Sequence, residues 1–115
     1  MHYIYMLRCR DDSIYTGIAS ELENRLKIHF EGGAGCSKYV SSRGALRLEC
    51  YWICETVSEA AKLEYRLKKL PRKSKEMLVS GDSELEDFLG QKLECRVYSR
   101  GDMQKAELAG YLGSV

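Results

Sequence analysis

A chain of 115 residues is long enough for one domain built around one hydrophobic core. Hydrophobic residues make up 44% and charged residues 30% of it, which is ordinary for a soluble globular protein. No apolar run approaches the roughly 18 residues that a membrane span needs, so the composition excludes a membrane-spanning protein. The net charge of +1 is uneven: residues 1–80 carry 14 Lys/Arg and 10 Asp/Glu, whereas residues 81–115 carry 4 and 7. This division weakly indicates an anionic partner for the first part.

The five cysteines form no regular framework. Their number is odd, and no Cys-x-x-Cys pair or histidine partner indicates a zinc site. We therefore expect free thiols and a cytoplasmic protein.

The first two elements are predicted to form a β-hairpin. Residues 3–9 are apolar on both faces and rich in aromatic types, which predicts a central strand, and residues 13–18 form the returning strand. A three-residue loop would place Tyr15 opposite Leu7 and bring Tyr5 to the same face as Tyr15. A two-residue loop would place the two tyrosines on opposite faces.

A helix is predicted to follow the hairpin. Ser20 is its expected N-cap, Glu23 completes a capping box, and Gly32 ends it. Arg25 and His29 flank its buried stripe one turn apart, so they can act together.

Residues 32–45 are small and polar, which predicts a loop with a short helical turn. Residues 46–55 alternate enough to form a third strand. The residues predicted to share one face of that strand are Leu48, Cys50, Trp52 and Cys54.

The second half begins with an amphipathic helix over residues 57–70, with Ser58 as its cap, followed by a helix that Pro71 introduces. We expect a domain of residues 1–80 and a C-terminal extension, residues 81–115, packed on it or appended to it. Within the extension, the patterns predict a capping box that starts at Ser83, a short strand at residues 93–97 and a helix at residues 103–112.

Glu64 is the clearest anomaly in the chain. It falls on the same side of its helix as Leu63 and Leu67, and an ionised carboxylate in an apolar stripe is costly unless it is paired or binds a metal. One interpretation is a salt bridge with Arg25 or Lys68. The other is a ligand for Mg²⁺ or Mn²⁺, which one carboxylate can hold together with substrate phosphate and waters.

Other polar residues have a structural and a chemical interpretation. Arg25 could bind a phosphate with its planar fork or could be an ordinary surface arginine. His29 could carry a proton, orient a tyrosine or simply pack. Tyr5 and Tyr15 are ordinary strand residues unless a nearby cation favours the phenolate.

Residues 62–75 are the densest basic stretch. They form either a solvated helix face or a sequence-independent contact with a phosphate backbone. The candidates for that contact, with two from the preceding loop, are Lys38, Arg43, Arg66, Lys68, Lys69, Arg72 and Lys73.

Two tyrosine motifs and three later residues together resemble the GIY-YIG nuclease family, and most closely its small stand-alone YhbQ/YazA-like bacterial members. The matching positions are Tyr3-Ile4-Tyr5, Tyr15-Thr16-Gly17, Arg25, His29 and Glu64. The resemblance covers residues 2–79. It implies an α/β (α+β) fold in which a small three-stranded antiparallel sheet is flanked by helices.

The resemblance also implies metal-dependent hydrolysis of DNA. By position, Tyr15 would be the general base or its activator, and Tyr5 a positioning partner. Arg25 would hold the phosphate, His29 would assist proton transfer, and Glu64 would bind one Mg²⁺ or Mn²⁺ ion.

The sequence departs from the family pattern at several positions. Tyr3 stands in place of the first glycine, Thr16 in place of the middle isoleucine, and Ile18 where repair nucleases often carry a lysine. The expected function is an endonuclease that prefers branched, nicked or single-stranded DNA, as in DNA repair. The alternatives are a nucleic-acid-binding module with weak or lost catalysis, and a subunit that contacts a protein partner through residues 81–115.

Overall fold

An antiparallel sheet with helices on both faces organises the chain, as predicted. The computed structural model describes residues 1–32 and 34–101. The elements are β1 (His2–Cys9), β2 (Ile14–Ala19), α1 (Leu22–Glu31), α2 (Lys38–Arg43), β3 (Ala45–Cys54), α3 (Val57–Lys69), α4 (Arg72–Ser80), α5 (Leu85–Leu89), a 3₁₀ turn (Cys95–Val97) and β4 (Ser99–Arg100). The strand order is β2-β1-β3-β4, so the sheet has four strands rather than the three expected. Within the described ranges, no helix is long and apolar enough to cross a membrane.

The hairpin has the register that a three-residue loop predicts. Tyr15 lies opposite Leu7 and Gly17 lies opposite Tyr5. Asp12 closes the loop with a φ of 71°, a left-handed conformation that aspartate tolerates better than most residues. Tyr5 and Tyr15 therefore share one face of the sheet, which we call the tyrosine face.

The two faces of the sheet build two hydrophobic layers. Along β1, Tyr5 and Leu7 point to the tyrosine face, which α1 and α2 cover, whereas Ile4 and Met6 point to the other face. That opposite face packs against α3, α4 and α5. Both sides of β1 are thus buried, which explains why its sequence is apolar without alternation.

Strand β3 contains a β-bulge that the sequence did not reveal. Met6 pairs with Cys50 and the next residue, Leu7, pairs with Leu48, so Glu49 is an extra residue without an opposite partner. Leu48 consequently packs on the tyrosine face. The prediction that it shares a face with Cys50 was wrong, because one extra residue reverses the alternation.

The start of α1 also differs from the prediction. Its N-cap is Glu21, whose side chain makes no capping hydrogen bond, rather than Ser20. The predicted end is correct: Gly32 is left-handed, with a φ of 68°, and its N–H donates to the carbonyl of Ile28.

Two later helices begin one or two residues away from their predicted caps. Thr56, rather than Ser58, caps α3, and it forms a full capping box with Glu59. Glu84, rather than Ser83, caps α5. In each case several neighbouring polar residues fit the capping pattern, so the pattern alone does not identify which of them is the N-cap.

Part of the predicted extension contributes to the core. Leu85, Leu89 and Tyr98 are buried against the opposite face of the sheet. The hydroxyl of Tyr98 donates to the carbonyl of Glu59 at 2.6 Å, which fastens this segment to α3. A boundary after residue 80 stays a prediction, but residues 85–98 share the core of the preceding elements.

The strand predicted at residues 93–97 was wrong. Cys95–Val97 form a 3₁₀ turn, and the added strand is Ser99–Arg100, which pairs with Trp52 and Ile53 of β3. The helix predicted at residues 103–112 lies outside the described residues. All five cysteines lie within them and are free thiols.

A buried arginine joins β1 to β3 and α4. Arg8 is 5% exposed, and its Nε and Nη2 donate to Oε2 of Glu49 at 3.0 and 2.9 Å. Its Nη1 donates to Oε2 of Glu76 at 2.7 Å, and this contact is the main reason that the pKa of Glu76 is lowered to about 2. Arg72 also contacts Glu76, at 3.2 Å. The bulge residue Glu49 and Glu76 thus both supply carboxylates to a charge that would otherwise be unpaired in the interior.

Candidate active site

A buried hydrogen bond joins Tyr5 on β1 to His29 on α1. The phenol Oη lies 2.6 Å from Nε2 of the imidazole, and the residues are 0% and 2% exposed. The Tyr15 ring lies 6.2 Å from the Tyr5 ring and meets the His29 ring edge-on at 5.4 Å, between centroids. Three of the residues singled out from the sequence therefore form one cluster on the tyrosine face.

The local sequence explains this placement. His29 follows Leu22 and Leu26 at helical spacing on the buried side of α1, so its ring points at the sheet. Gly17 lies opposite Tyr5, and a Cβ on Gly17 would stand 2.6 Å from the Tyr5 Oη. The missing side chain provides the space that the phenol occupies.

Burial makes both members of the hydrogen bond neutral at pH 7. Desolvation, and secondarily the neighbouring Tyr15, raises the pKa of Tyr5 well above its ordinary value, which Arg25 opposes only in part. Desolvation and then Arg25 lower the pKa of His29 to about 4. The imidazole therefore carries one N–H. Its Nδ1 lies 3.7 Å from Sγ of Cys36, and a proton on Nδ1 leaves Nε2 to accept from the Tyr5 hydroxyl.

Arg25 lies beside this cluster, and part of its guanidinium group remains available to donate hydrogen bonds. It is partly exposed, and its Nη1 donates to the carbonyl of Gly35 at 2.8 Å. It makes no ion pair within residues 1–32 and 34–101. Its charge is close enough to Tyr5 to oppose the rise in that residue's pKa. The remaining guanidinium N–H groups can therefore bind an anion near the tyrosines.

Glu64 lies at the edge of the buried stripe of α3. Its side chain is 24% exposed, and its Oε2 lies 3.3 Å from Nζ of Lys68, so the structure shows the salt bridge with Lys68 and not with Arg25. The carboxylate is also a minor cause of the raised pKa of Tyr5, although α3 packs on the face of the sheet opposite the tyrosine face.

The donor set limits the kind of metal that could bind. In the part of the chain that the structure describes, no group of three or more His, Cys, Asp or Glu side chains is arranged to hold an ion. Glu64 offers one hard carboxylate, which suits an ion that takes its other ligands from water and phosphate. The residues present fit Mg²⁺ or Mn²⁺ and do not fit a zinc site.

Several of the basic residues predicted to contact nucleic acid are paired with acids. Arg43 pairs with Asp11 at 3.1 Å, Arg72 with Asp12 at 2.8 Å, and Lys68 with Glu64. The predicted residues that make no ion pair with the rest of the described chain are Lys38, Arg66, Lys69 and Lys73.

Two neighbours of the cluster had no assigned part in it. The Tyr39 ring lies 5.7 Å from the Tyr15 ring, and Arg43 stacks over Tyr39 with its Cζ 3.8 Å from the centroid. Cys36 contacts His29 seven residues away in the chain. No spacing rule indicates the contact with Cys36, because the loop between α1 and α2 sets it.

Comparison with known proteins identifies the family. Residues 1–77 match the model described as the GIY-YIG catalytic domain. The chain belongs to the GIY-YIG family. Because that family is generally composed of nucleases, the chain carries a nuclease-family domain.

The relatives are small bacterial GIY-YIG proteins. A UPF0213 protein of Halalkalibacterium halodurans is 42% identical over 79 residues, covering 69% of this chain and 82% of that protein. One from Oceanobacillus iheyensis is 46% identical over 78 residues, covering 68% and 88%. The solution NMR structure of a UPF0213 protein from Bacillus halodurans covers 81% of this chain and 96% of its own, with 38% identity and a TM-score of 0.46. The names of these relatives state no activity.

Proposed function

We propose that this GIY-YIG protein is a divalent-metal-dependent endonuclease that hydrolyses phosphodiester bonds in DNA, at branched, nicked or single-stranded sites. The observation that carries the proposal is the cluster on the tyrosine face. A buried Tyr5–His29 hydrogen bond supports Tyr15, and Arg25 lies beside these rings. The family resemblance adds Glu64, from α3, to this set. Such a set contains a phosphate ligand, a proton acceptor and a metal ligand.

The two tyrosines have different parts in this proposal. Tyr5 stays a neutral phenol, because its pKa is raised, and its hydrogen bond with neutral His29 fixes both rings. Tyr15 is less buried and is the phenol that meets the substrate. Arg25 binds the scissile phosphate through its planar guanidinium group. Tyr15 takes the proton of the attacking water and passes its own hydroxyl proton to solvent, as the new phosphorus–oxygen bond forms and the bond to the leaving oxygen breaks.

Glu64 is the residue that would hold the ion. Its salt bridge with Lys68 restricts the rotamer of the carboxylate. A bound Mg²⁺ or Mn²⁺ supplies stabilisation for the charge that develops on the phosphate and the leaving oxygen.

The substitution Glu64→Gln tests this proposal. We expect it to lower Mg²⁺-dependent cleavage of end-labelled single-stranded, nicked and branched DNA by roughly a hundredfold or more. Its circular dichroism and urea midpoint should match the wild type. Glu55→Gln, at an exposed residue just before α3, is the matched control and should cut normally. Undiminished cleavage by purified Glu64→Gln would refute the assignment.

A second candidate is a nucleic-acid-binding module that does not cut. The observation that favours it is the salt bridge, because Lys68 already neutralises the only carboxylate assigned to the metal. It predicts binding that is independent of metal and falls steeply with salt, with no cleavage of any DNA in the same panel.

A further inference from the structure

The outer face of α3 carries an exposed tyrosine within a row of cations. Lys62, Tyr65, Arg66 and Lys69 recur at helical spacing, so they lie on one face, away from the buried stripe of the helix. Tyr65 is 55% exposed, and no catalytic part has been assigned to it. The Lys69 Nζ and the Arg66 Cζ lie 4.9 and 5.4 Å from its ring centroid.

This face borders a groove of about 580 Å³ between α3 and residues 92–98. Tyr65 forms one apolar side, and Leu93 and Val97 form the other. The hydrogen bond from Tyr98 to the carbonyl of Glu59 holds the two sides together. A cavity of this volume is within the range of small-ligand sites. The family match ends at residue 77, so one wall of the groove lies outside the matched domain.

The charge around the groove favours an anion. Lys62, Arg66, Lys69 and Lys92 form no ion pair with any other described residue. The two acids that line the groove are already engaged. Glu59 takes part in the capping box of α3, and Glu94 pairs with Arg96 at 2.9 Å. An apolar wall framed by unpaired cations matches a nucleotide, which combines an aromatic base with phosphates.

We propose that this groove binds an unpaired nucleotide of a DNA substrate, with its base stacked on Tyr65 and the flanking phosphates on Lys62, Arg66, Lys69 and Lys92. The base must be unpaired, because neighbouring bases cover both of its faces in a duplex. The inference rests on the proposed function and adds that the protein binds an unpaired stretch of its DNA substrate in this groove.

The groove lies within reach of Glu64, the proposed metal ligand. Around α3, Lys68 falls between Glu64 and Tyr65, which are about 100° apart. An α-helix with its side chains is roughly 10–12 Å across, so one strand can pass from Glu64 to Tyr65 within a few nucleotides. Lys68 lies along that path.

Fluorescence anisotropy in EDTA tests the groove without any cleavage. The probes are a labelled oligothymidylate and a blunt duplex of equal length, and the variants of the full chain are Tyr65→Ala, Tyr65→Phe and the control Val57→Ala. Val57 is exposed on the same helix but outside the groove. Tyr65→Ala should weaken binding of the oligothymidylate by roughly 5- to 150-fold. Tyr65→Phe and Val57→Ala should bind like the wild type, and duplex binding should be nearly unchanged.

The outcomes separate this inference from the proposed function. Unchanged affinity of Tyr65→Ala for the oligothymidylate, or an equal loss for both probes, overturns the groove assignment whether or not the protein cuts DNA. If the wild-type protein binds through Tyr65 but cleaves no DNA, the proposed endonuclease function is wrong and the assignment of the groove is still supported. Photocrosslinking of an iodouracil-substituted oligonucleotide supplies a second readout. The crosslink should map to Tyr65, and a crosslink confined to other segments overturns the proposal.

Discussion

The Tyr5–His29 hydrogen bond should contribute measurably to stability, and a double-mutant cycle can isolate its contribution. The variants are Tyr5→Phe, His29→Leu and the double substitution. Each single change leaves one polar atom buried without its partner, because the two residues are 0% and 2% exposed and water cannot easily replace the missing group. An unsatisfied buried group costs about 1–3 kcal/mol.

The double variant removes both polar atoms and should therefore cost less than the sum of the single changes. The expected coupling is about 1–3 kcal/mol, a large share of the roughly 5–15 kcal/mol that stabilises a typical domain. An exposed hydrogen bond would show much less coupling. The same single changes should also lower cleavage, because Tyr15 packs against both rings.

Urea unfolding at pH 7 is a suitable assay, since the single tryptophan, Trp52, is buried and reports on the core. Tyr3→Phe is the matched control, because the Tyr3 hydroxyl donates to the Met1 sulfur at an exposed site, and it should change stability by less than about 0.5 kcal/mol. Single-variant costs that add within about 0.5 kcal/mol would refute the reasoning, because they would mean that the two groups do not depend on each other.

Three further predictions follow from burial and contact. The pKa of His29 is about 4 in the folded state and near 6.5 in the unfolded state, so lowering the pH from 6.5 to 4 should reduce the free energy of unfolding by up to about 3 kcal/mol. If the free energy of unfolding falls with pH as steeply in His29→Leu as in the wild type, this prediction is wrong. Arg8→Ala should cost about 3–5 kcal/mol in urea unfolding, whereas Arg72→Ala, at a 55% exposed side chain, should cost less than about 1 kcal/mol; similar losses would show that burial of Arg8 is unimportant. Gly17→Ala should cost about 1–3 kcal/mol and reduce cleavage, because its Cβ would stand 2.6 Å from the Tyr5 Oη; unfolding and nuclease assays that match the wild type would contradict the contact.

Local rules predicted the hairpin and its tyrosines well. The register follows from loop length, and the shared face of Tyr5 and Tyr15 follows from the register. His29 was predicted to flank the buried stripe of α1, but it lies within that stripe, after Leu22 and Leu26 at helical spacing. The Glu64–Lys68 salt bridge was one of two open interpretations, and it is local as well, with both residues on adjacent turns of one helix.

Features that depend on distant parts of the chain were not predictable. Arg8 meets Glu49 and Glu76, which follow it by 41 and 68 residues, and no pattern around Arg8 indicates either partner. The fourth strand, Ser99–Arg100, is polar and short, so it has no alternation to detect. This strand forms because the edge of β3 offers hydrogen-bonding partners, and not because its own residues favour a strand.

The shape of β3 has a consequence for changes of chain length. Eight residues of β1 pair across ten residues of β3, so two positions on β3, including Glu49, are surplus to the ladder. Deleting Glu49 would reverse the direction in which the preceding side chains point. Leu48 would leave the layer that supports Tyr5, and Arg8 would lose one of its carboxylate partners. Substitutions along the exposed part of this strand should be tolerated. Insertion or deletion of a single residue would instead move buried side chains to the exposed face and exposed side chains to the buried face. When homologous sequences are aligned, a one-residue gap in this strand therefore marks a rebuilt core and not a trimmed loop.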